Sequence, residues 1–259
     1  MTFHLLGAGL RGTRSITVEE NEVLGKCSKI YIDTYTSIFP ENFINDLSGI
    51  YSGEIIPLER EELESMAFIK NENNDSALIV SGDPFGSTTH MSIARKCIDN
   101  KIELKIYENA SIISIIWGRT GLSAYRSGSV VSIPDFGNEY IPASPYEKIL
   151  QNITMGLHTL VLVDLKNGKN TDSSRLMEIF IMMRDRNSLD DLMGRAVFSI
   201  ERAGWNDEAV HLDSLENILR KNLRSPYCVV IPGKMDFNER ENIKALFPDC
   251  SRVLDEPIS

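Results

Sequence analysis

Ala77-Leu78-Ile79-Val80-Ser81-Gly82-Asp83-Pro84-Phe85-Gly86 is the stretch whose reading decides the fold. Its first part is short, uncharged and rich in branched side chains, so Ala77–Ser81 is expected to be a buried strand. Gly82 through Gly86 then supply a tight turn, and Ser87-Thr88-Thr89-His90 leads into a helical pattern. Strand, turn and helix start in that order put the loop at the carboxyl edge of a sheet, where open α/β sheets take their ligands.

The same alternation extends outward in both directions. Strands are expected at Phe3–Leu6, Lys29–Asp33, Glu54–Leu58 and Ile102–Tyr107, with helical patterns near 17–27, 40–48, 59–72 and 88–100. The second half repeats the theme with Val130–Pro134, Thr159–Leu165, Ala196–Ile200, Ala209–Leu212 and Tyr227–Ile231. Its helical patterns fall near 145–156, 171–187 and 236–247. Strands alternating with helices predict largely parallel sheets covered by helices. The fold class expected is α/β, with two α/β domains at 1–109 and 110–259, each a largely five-stranded sheet with flanking helices. Capping boxes at Thr17 with Glu20, Ser144 (before Pro145) with Glu147, and Asp236 with Glu239 mark three helix starts.

Composition bounds the function. Of 259 residues, 42% are apolar and 25% charged, ordinary globular usage that excludes a disordered chain. The 27 Lys and Arg stand against 37 Asp and Glu, and a net charge of −10 repels phosphate backbones, so no nucleic-acid partner is expected. Cys27, Cys97, Cys228 and Cys250 form no CxxC pair and no zinc spacing with the histidines. They are expected as small buried hydrophobes in a reducing compartment, with no metal. No signal-peptide pattern precedes the first apolar segment, and no apolar run approaches the roughly 20 residues of a membrane span. A cytoplasmic protein is expected.

Gly7-Ala8-Gly9-Leu10-Arg11-Gly12 formally matches the GxGxxG dinucleotide signature, and Asp33 ends the next strand where a ribose ligand would stand. That pattern suggests a nicotinamide-binding oxidoreductase. Against it, a pyrophosphate site needs the helix to open inside the glycine motif, whereas the Thr17 cap starts it later, after a loop at Thr13, Arg14 and Ser15. Asp83 can accept hydrogen bonds from the ribose or ammonium of a ligand, or simply shape an Asp-Pro turn. His90 and His158 read more readily as hydrogen-bonded structural residues than as catalysts, and His4 and His211 lie in strands. Ser111, in Asn109-Ala110-Ser111-Ile112-Ile113, could cap the next helix and leave backbone amides facing a ligand. Arg202-Ala203-Gly204 and Pro232-Gly233-Lys234 end strands in the second half; each alone says only that a loop lies at a sheet edge.

Together with Tyr35-Thr36-Ser37, Thr88-Thr89-His90 and Gly156-Leu157-His158-Thr159-Leu160, these segments are specific in their order and spacing. Through them, to about residue 247, the chain resembles the diphthine synthases of the tetrapyrrole methylase superfamily. The resemblance implies two α/β domains with S-adenosylmethionine in the cleft between them, and a homodimer. It implies cofactor contacts at Leu10, Asp83, Gly86, Ser111, Ile112, Val163 and Ala203, and at Tyr227, which stands where the family has a histidine. Phe85-Gly86-Ser87, Trp205 and Asp236 also depart from the commoner family residues. The implied reaction is successive N-methylation of the 3-amino-3-carboxypropyl arm of a histidine on translation elongation factor 2, the protein partner. No residue is marked as a base. Another methyltransferase of the superfamily, acting on a tetrapyrrole or ribosomal RNA, is the nearest alternative; the oxidoreductase is the more distant one.

Overall fold

The computed structural model describes residues 2–70, 74–86, 90–137, 139–166 and 168–250. Two compact units, Met1–Ile113 and Ser114–Ser259, divide the chain.

The first unit runs β1 (Thr2–Gly7), α1 (Val18–Leu24), β2 (Lys29–Asp33), α2 (Phe43–Ile50), β3 (Glu54–Leu58), α3 (Arg60–Ser65), β4 (Ser76–Val80), α4 (Met91–Asp99) and β5 (Glu103–Tyr107). The sheet order is β3-β2-β4-β1-β5, parallel throughout. Both faces are covered. Phe3, Leu5, Leu78 and Val80 pack under Leu63, Ile93 and Cys97 of α3 and α4. Leu6, Ala77 and Ile79, alternating with them, pack under Leu24, Phe43 and Leu47 of α1 and α2. Period-two side chains on a sheet buried on both sides leave an almost continuous apolar run, the signature read at residues 77–81.

The second unit continues with α5 (Ile112–Thr120, begun at the end of the first), β6 (Val131–Ile133), α6 (Ser144–Thr154), β7 (Thr159–Val163), β8 (Leu165–Lys166) and β9 (Lys169–Asn170). It ends with α7 (Ser173–Asn187), β10 (Ala196–Glu201), β11 (Ala209–Ser214), α8 (Leu215–Arg220), β12 (Tyr227–Ile231) and α9 (Phe237–Leu246). Its sheet order is β11-β10-β12-β7-β6. Tyr146, Ile149, Leu176, Phe180, Leu215 and Ile218, from α6, α7 and α8, cover one face in a single core.

The α/β class and the two five-stranded sheets are as expected; the pairing of the second sheet is not. Only β6 and β7 run parallel, while β10 is antiparallel to β11 and β12, and β12 to β7. For β10 and β11 the reason is chain length: Arg202–Glu208 alone separate them, too few residues for a crossover but enough for a hairpin.

Local signals have mixed outcomes. The Thr17–Glu20 and Asp236–Glu239 capping boxes form. The Ser144–Glu147 box does not, because Ser144 already lies inside α6 and Ala143 is the N-cap, which puts Pro145 at the second helical position and not the first. Residues 13–15 are not open loop but part of a 3-10 turn, Gly12–Ser15. The helix expected near 59–72 stops at Ser65, where Met66 turns left-handed (φ 52°). Thr88 and Thr89 lie outside the described residues. Cys27, Cys97 and Cys228 are buried free thiols.

Candidate functional site

β1 and β4 lie side by side, and their connections leave on opposite faces of the sheet, β1 into α1 on one and β4 into α4 on the other. That divergence opens a crevice beyond their carboxyl ends, the position at which open α/β sheets bind ligands. Here the loops after β1 and β4 are joined backbone to backbone. Gly9 N donates to Gly82 O (3.1 Å), and Gly82 N donates to Gly9 O (2.8 Å). No side chain fits at this junction: a Cβ added at Gly7 would lie 2.4 Å from the Gly82 carbonyl oxygen and 2.8 Å from Pro84 Cδ. Gly9 (φ +58°) and Gly82 (φ +75°) both take left-handed backbone that glycine adopts freely. A Cβ at Gly86 would meet Ser111 Cβ at 3.2 Å, so the loop after β5 closes on the same spot.

Five expected contact positions thus gather at three adjoining loop ends of the first unit. Leu10, Asp83, Gly86 and Ile112 are partly exposed, and Ser111 is nearly buried at the start of α5. Asp83 does shape its turn: Oδ1 accepts from Phe85 N (2.9 Å), and Oδ2 accepts from Asn109 N (3.3 Å). Asn109, to which sequence reasoning gave no role, donates from Nδ2 to Ser15 O (2.9 Å) and to Glu20 Oε2 (3.4 Å).

Asp33 is not a ribose ligand. It is fully buried, and its carboxylate accepts from Tyr35 N (2.9 Å), Thr36 N (2.8 Å), the Thr36 hydroxyl and Ser37 Oγ (3.4 Å). His90 Nε2 adds a bond to Oδ2 (3.1 Å), while its Nδ1 meets Pro84 O (2.9 Å). Burial alone would raise the Asp33 pKa, but the bonds from His90 and Thr36 outweigh it and hold the group below the usual carboxylate range. Ser37 Oγ in turn accepts from Ser81 N (3.0 Å). Asp33 and His90 therefore brace the Ser81–Gly86 loop from beneath, the structural role read for His90. With helix α1 opening only at Val18, the dinucleotide reading falls.

In the second unit the strand registers bring Val163, Ala203 and Tyr227 to one end of the sheet. Asn170, also missed, ties that end together. Its Nδ2 donates to Val163 O (2.9 Å), and its Oδ1 accepts from Tyr227 N (2.8 Å) and Ser225 Oγ (3.1 Å). Beside Ala203, Gly204 N donates to Glu208, whose carboxylate pairs with Arg119. The Tyr227 side chain lies in the core, and its hydroxyl donates to Thr171 O (2.6 Å). A histidine at this position could not span that contact.

His158 and Pro232-Gly233-Lys234 occupy the opposite end of the same sheet. His158 is fully buried; Nδ1 accepts from Gly233 N (3.0 Å) and Nε2 lies 2.8 Å from Glu239 Oε1. An accepting Nδ1 fixes the neutral ring with its proton on Nε2. Burial depresses the His158 pKa despite the pull of Glu239. A folded pKa below the unfolded one gives stability that is complete above about pH 6.5 and is lost as pH falls towards the folded value. The thermal midpoint should therefore drop between about pH 7.5 and 5.5, and His158→Gln, which cannot protonate, should flatten that drop. His4, also depressed by burial, contributes with the same sign and remains in the variant. Equal slopes for wild type and variant would remove His158 as a cause.

The sequence model of the Tetrapyrrole (Corrin/Porphyrin) Methylases matches residues 2–219. The chain belongs to the tetrapyrrole methylase family. Within that family it is 32% identical over 253 residues to the diphthine synthase of Thermoplasma acidophilum, covering 97% of this chain and 98% of that one. The diphthine methyl ester synthase of Schizosaccharomyces pombe is 40% identical over 167 residues, covering 63% of this chain and 58% of its own length. A crystal structure of diphthine synthase superposes with a TM-score of 0.83 at 25% identity, covering 98% of this chain and 100% of that one. Family membership makes the chain a methyltransferase of the diphthine synthase group. No helix among the described residues is long and apolar enough to cross a membrane.

Proposed function

We propose that this tetrapyrrole methylase transfers methyl groups from S-adenosylmethionine to the amino group of a 3-amino-3-carboxypropyl arm on a histidine of translation elongation factor 2. The observation that carries the reading is the glycine-lined junction of three loop ends at the switch point, in a chain similar to a diphthine synthase along nearly its whole length. The glycines let three loop ends pack backbone against backbone where a Cβ would clash, and a half-buried carboxylate, that of Asp83, stands among them as a group able to receive a nucleoside's donors. Leu10, Asp83, Gly86, Ser111 and Ile112 would hold the cofactor. Val163, Ala203 and Tyr227 carry the same assignment from the resemblance, Tyr227 without its hydroxyl.

When bound, the sulfonium supplies a methyl group already activated for transfer. The chain then has to hold an acceptor amine in line, and orientation of that kind can remove several kcal/mol of barrier. Asp83, already fixed by Phe85 N and Asn109 N, is suited to accept hydrogen bonds from a ribose or an ammonium without reorganising. Asp83→Ala should weaken S-adenosylhomocysteine binding at least about tenfold, while losing its turn bond costs only about 1 kcal/mol of stability. Calorimetry giving unchanged affinity would take Asp83 out of the site.

The reading as a whole is tested by offering elongation factor 2 with the unmethylated arm, a tetrapyrrole and ribosomal RNA to the enzyme with labelled S-adenosylmethionine. Label should enter the protein alone; label in either of the others would favour that substrate. A homodimer belongs to the same proposal and is checked by light scattering. With a substrate of the translation machinery, the cytoplasm is the compartment that this proposal carries.

A further inference from the structure

We propose that Asn109 is the positioning residue that sets the spacing of the cofactor loops, acting through Ser15, Glu20 and Asp83 rather than by touching the cofactor. The inference rests on the cofactor reading above and deepens it. One asparagine joins three chain segments: its backbone N–H bonds the Asp83 carboxylate, and its Nδ2 bonds the Ser15 carbonyl and Glu20 Oε2. Its Oδ1 accepts from Ala110 N (2.8 Å), which orients the amide so that Nδ2 faces those acceptors. The fit against the first loop is tight, for a Cβ at Gly9 would lie 2.8 Å from Asn109 Oδ1.

Its chain position gives the contacts leverage. Asn109 stands two residues before Ser111 and three before Ile112, and Ser111 packs against Gly82 and Gly86. Displacing it would move the loop after β5 relative to both glycine loops. Glu20 is an unusual acceptor, since it is almost fully buried and its Oε1 has no hydrogen-bond partner among the described residues. Its Oε2 serves Thr17 N (2.6 Å) and Asn109 together, so the same oxygen caps α1 and holds the strut. Burial raises the Glu20 pKa, consistent with a carboxyl group kept for geometry rather than for charge.

The test measures S-adenosylhomocysteine affinity and initial rates for the full-length enzyme and its variants. Asn109→Ala should raise the dissociation constant and the KM for S-adenosylmethionine about tenfold, with kcat within about twofold. Asn109→Asp keeps the shape but sets a carboxylate against Ser15 O and Glu20, and should bind still more weakly. Adding Glu20→Gln, which preserves the α1 cap, should recover at least about threefold of that loss. The affinity of Glu20→Gln in the wild-type background, where its amide oxygen can still accept from Asn109, is the reference against which that recovery is read. An asparagine that merely supported the fold would show no such coupling. Wild-type affinity in Asn109→Ala, or the same effect of Glu20→Gln in both backgrounds, overturns the inference. A wild-type enzyme that fails to bind S-adenosylhomocysteine overturns the cofactor reading, and this inference with it.

Discussion

Asp33→Ala is expected to lose about 3–5 kcal/mol of folding stability, the cost of stripping one partner from a buried charged network. The carboxylate takes bonds from Tyr35, Thr36, Ser37 and His90 with no water access. Alanine would leave two backbone amides and a buried imidazole facing a void. Asp33→Asn should cost less, about 1–3 kcal/mol, because one oxygen still serves the amides while the new NH2 opposes the Thr36 hydroxyl and His90. Because the native pKa lies below the unfolded one, the carboxylate's contribution is present above about pH 4 and is lost as acid protonates it. Urea denaturation of the three proteins at neutral pH measures this. An alanine variant within about 1 kcal/mol of wild type would mean that the network carries little.

Gly7→Val is the second large effect, and it acts on the site as well as on stability. The first added carbon would sit 2.4 Å from a backbone oxygen, well inside contact distance, and neither strand can yield alone. To relieve it, the Gly9–Gly82 pair and the Ala8 N to Val80 O bond (2.8 Å) must stretch or break. Overpacking of this kind costs about 1–3 kcal/mol, and the lost backbone bonds add to it. Affinity for S-adenosylhomocysteine should fall at least about tenfold, since the loops carrying Leu10 and Asp83 separate. Gly49→Ala makes the control. Nothing lies within 4 Å of a Cβ at Gly49, inside α2, so alanine should stabilise by about 0.5–1 kcal/mol with binding unchanged. Normal affinity in Gly7→Val would mean that the glycine junction does not shape the site.

The strands were the most legible part of the fold. Lys29–Asp33, Glu54–Leu58 and Tyr227–Ile231 fall where the sequence reading puts them, because a short run bounded by turn residues can do little else. The direction of the second sheet was less visible, since an apolar run looks alike in parallel and antiparallel pairing. For β10 and β11 the clue lay in the short Arg202–Glu208 link. The β8–β9 hairpin and α8 are too short to raise a periodic signal above their surroundings.

The glycine loops were legible for a physical reason: close backbone approach needs glycine at fixed places, and Gly7, Gly9 and Gly82 supply it. Asp33 looked like a ligand for a ribose because spacing carries no information about burial. The roles of Asn109, which stood only as the head of a segment, and of Asn170 were not legible. An asparagine in a loop reads as a turn former, and nothing local shows that one reaches Ser15, 94 residues away, or that the other reaches Tyr227, 57 residues away. Long-range side-chain to backbone bonds are a property of the folded chain.

The most direct test is the intact mass of elongation factor 2, carrying the unmethylated 3-amino-3-carboxypropyl histidine, after incubation with the enzyme and S-adenosylmethionine. The account predicts successive additions that end at three methyl groups on that residue, or at four where an ester is formed as well. An elongation factor whose mass stays unchanged, with an enzyme preparation that demonstrably binds the cofactor, would contradict it.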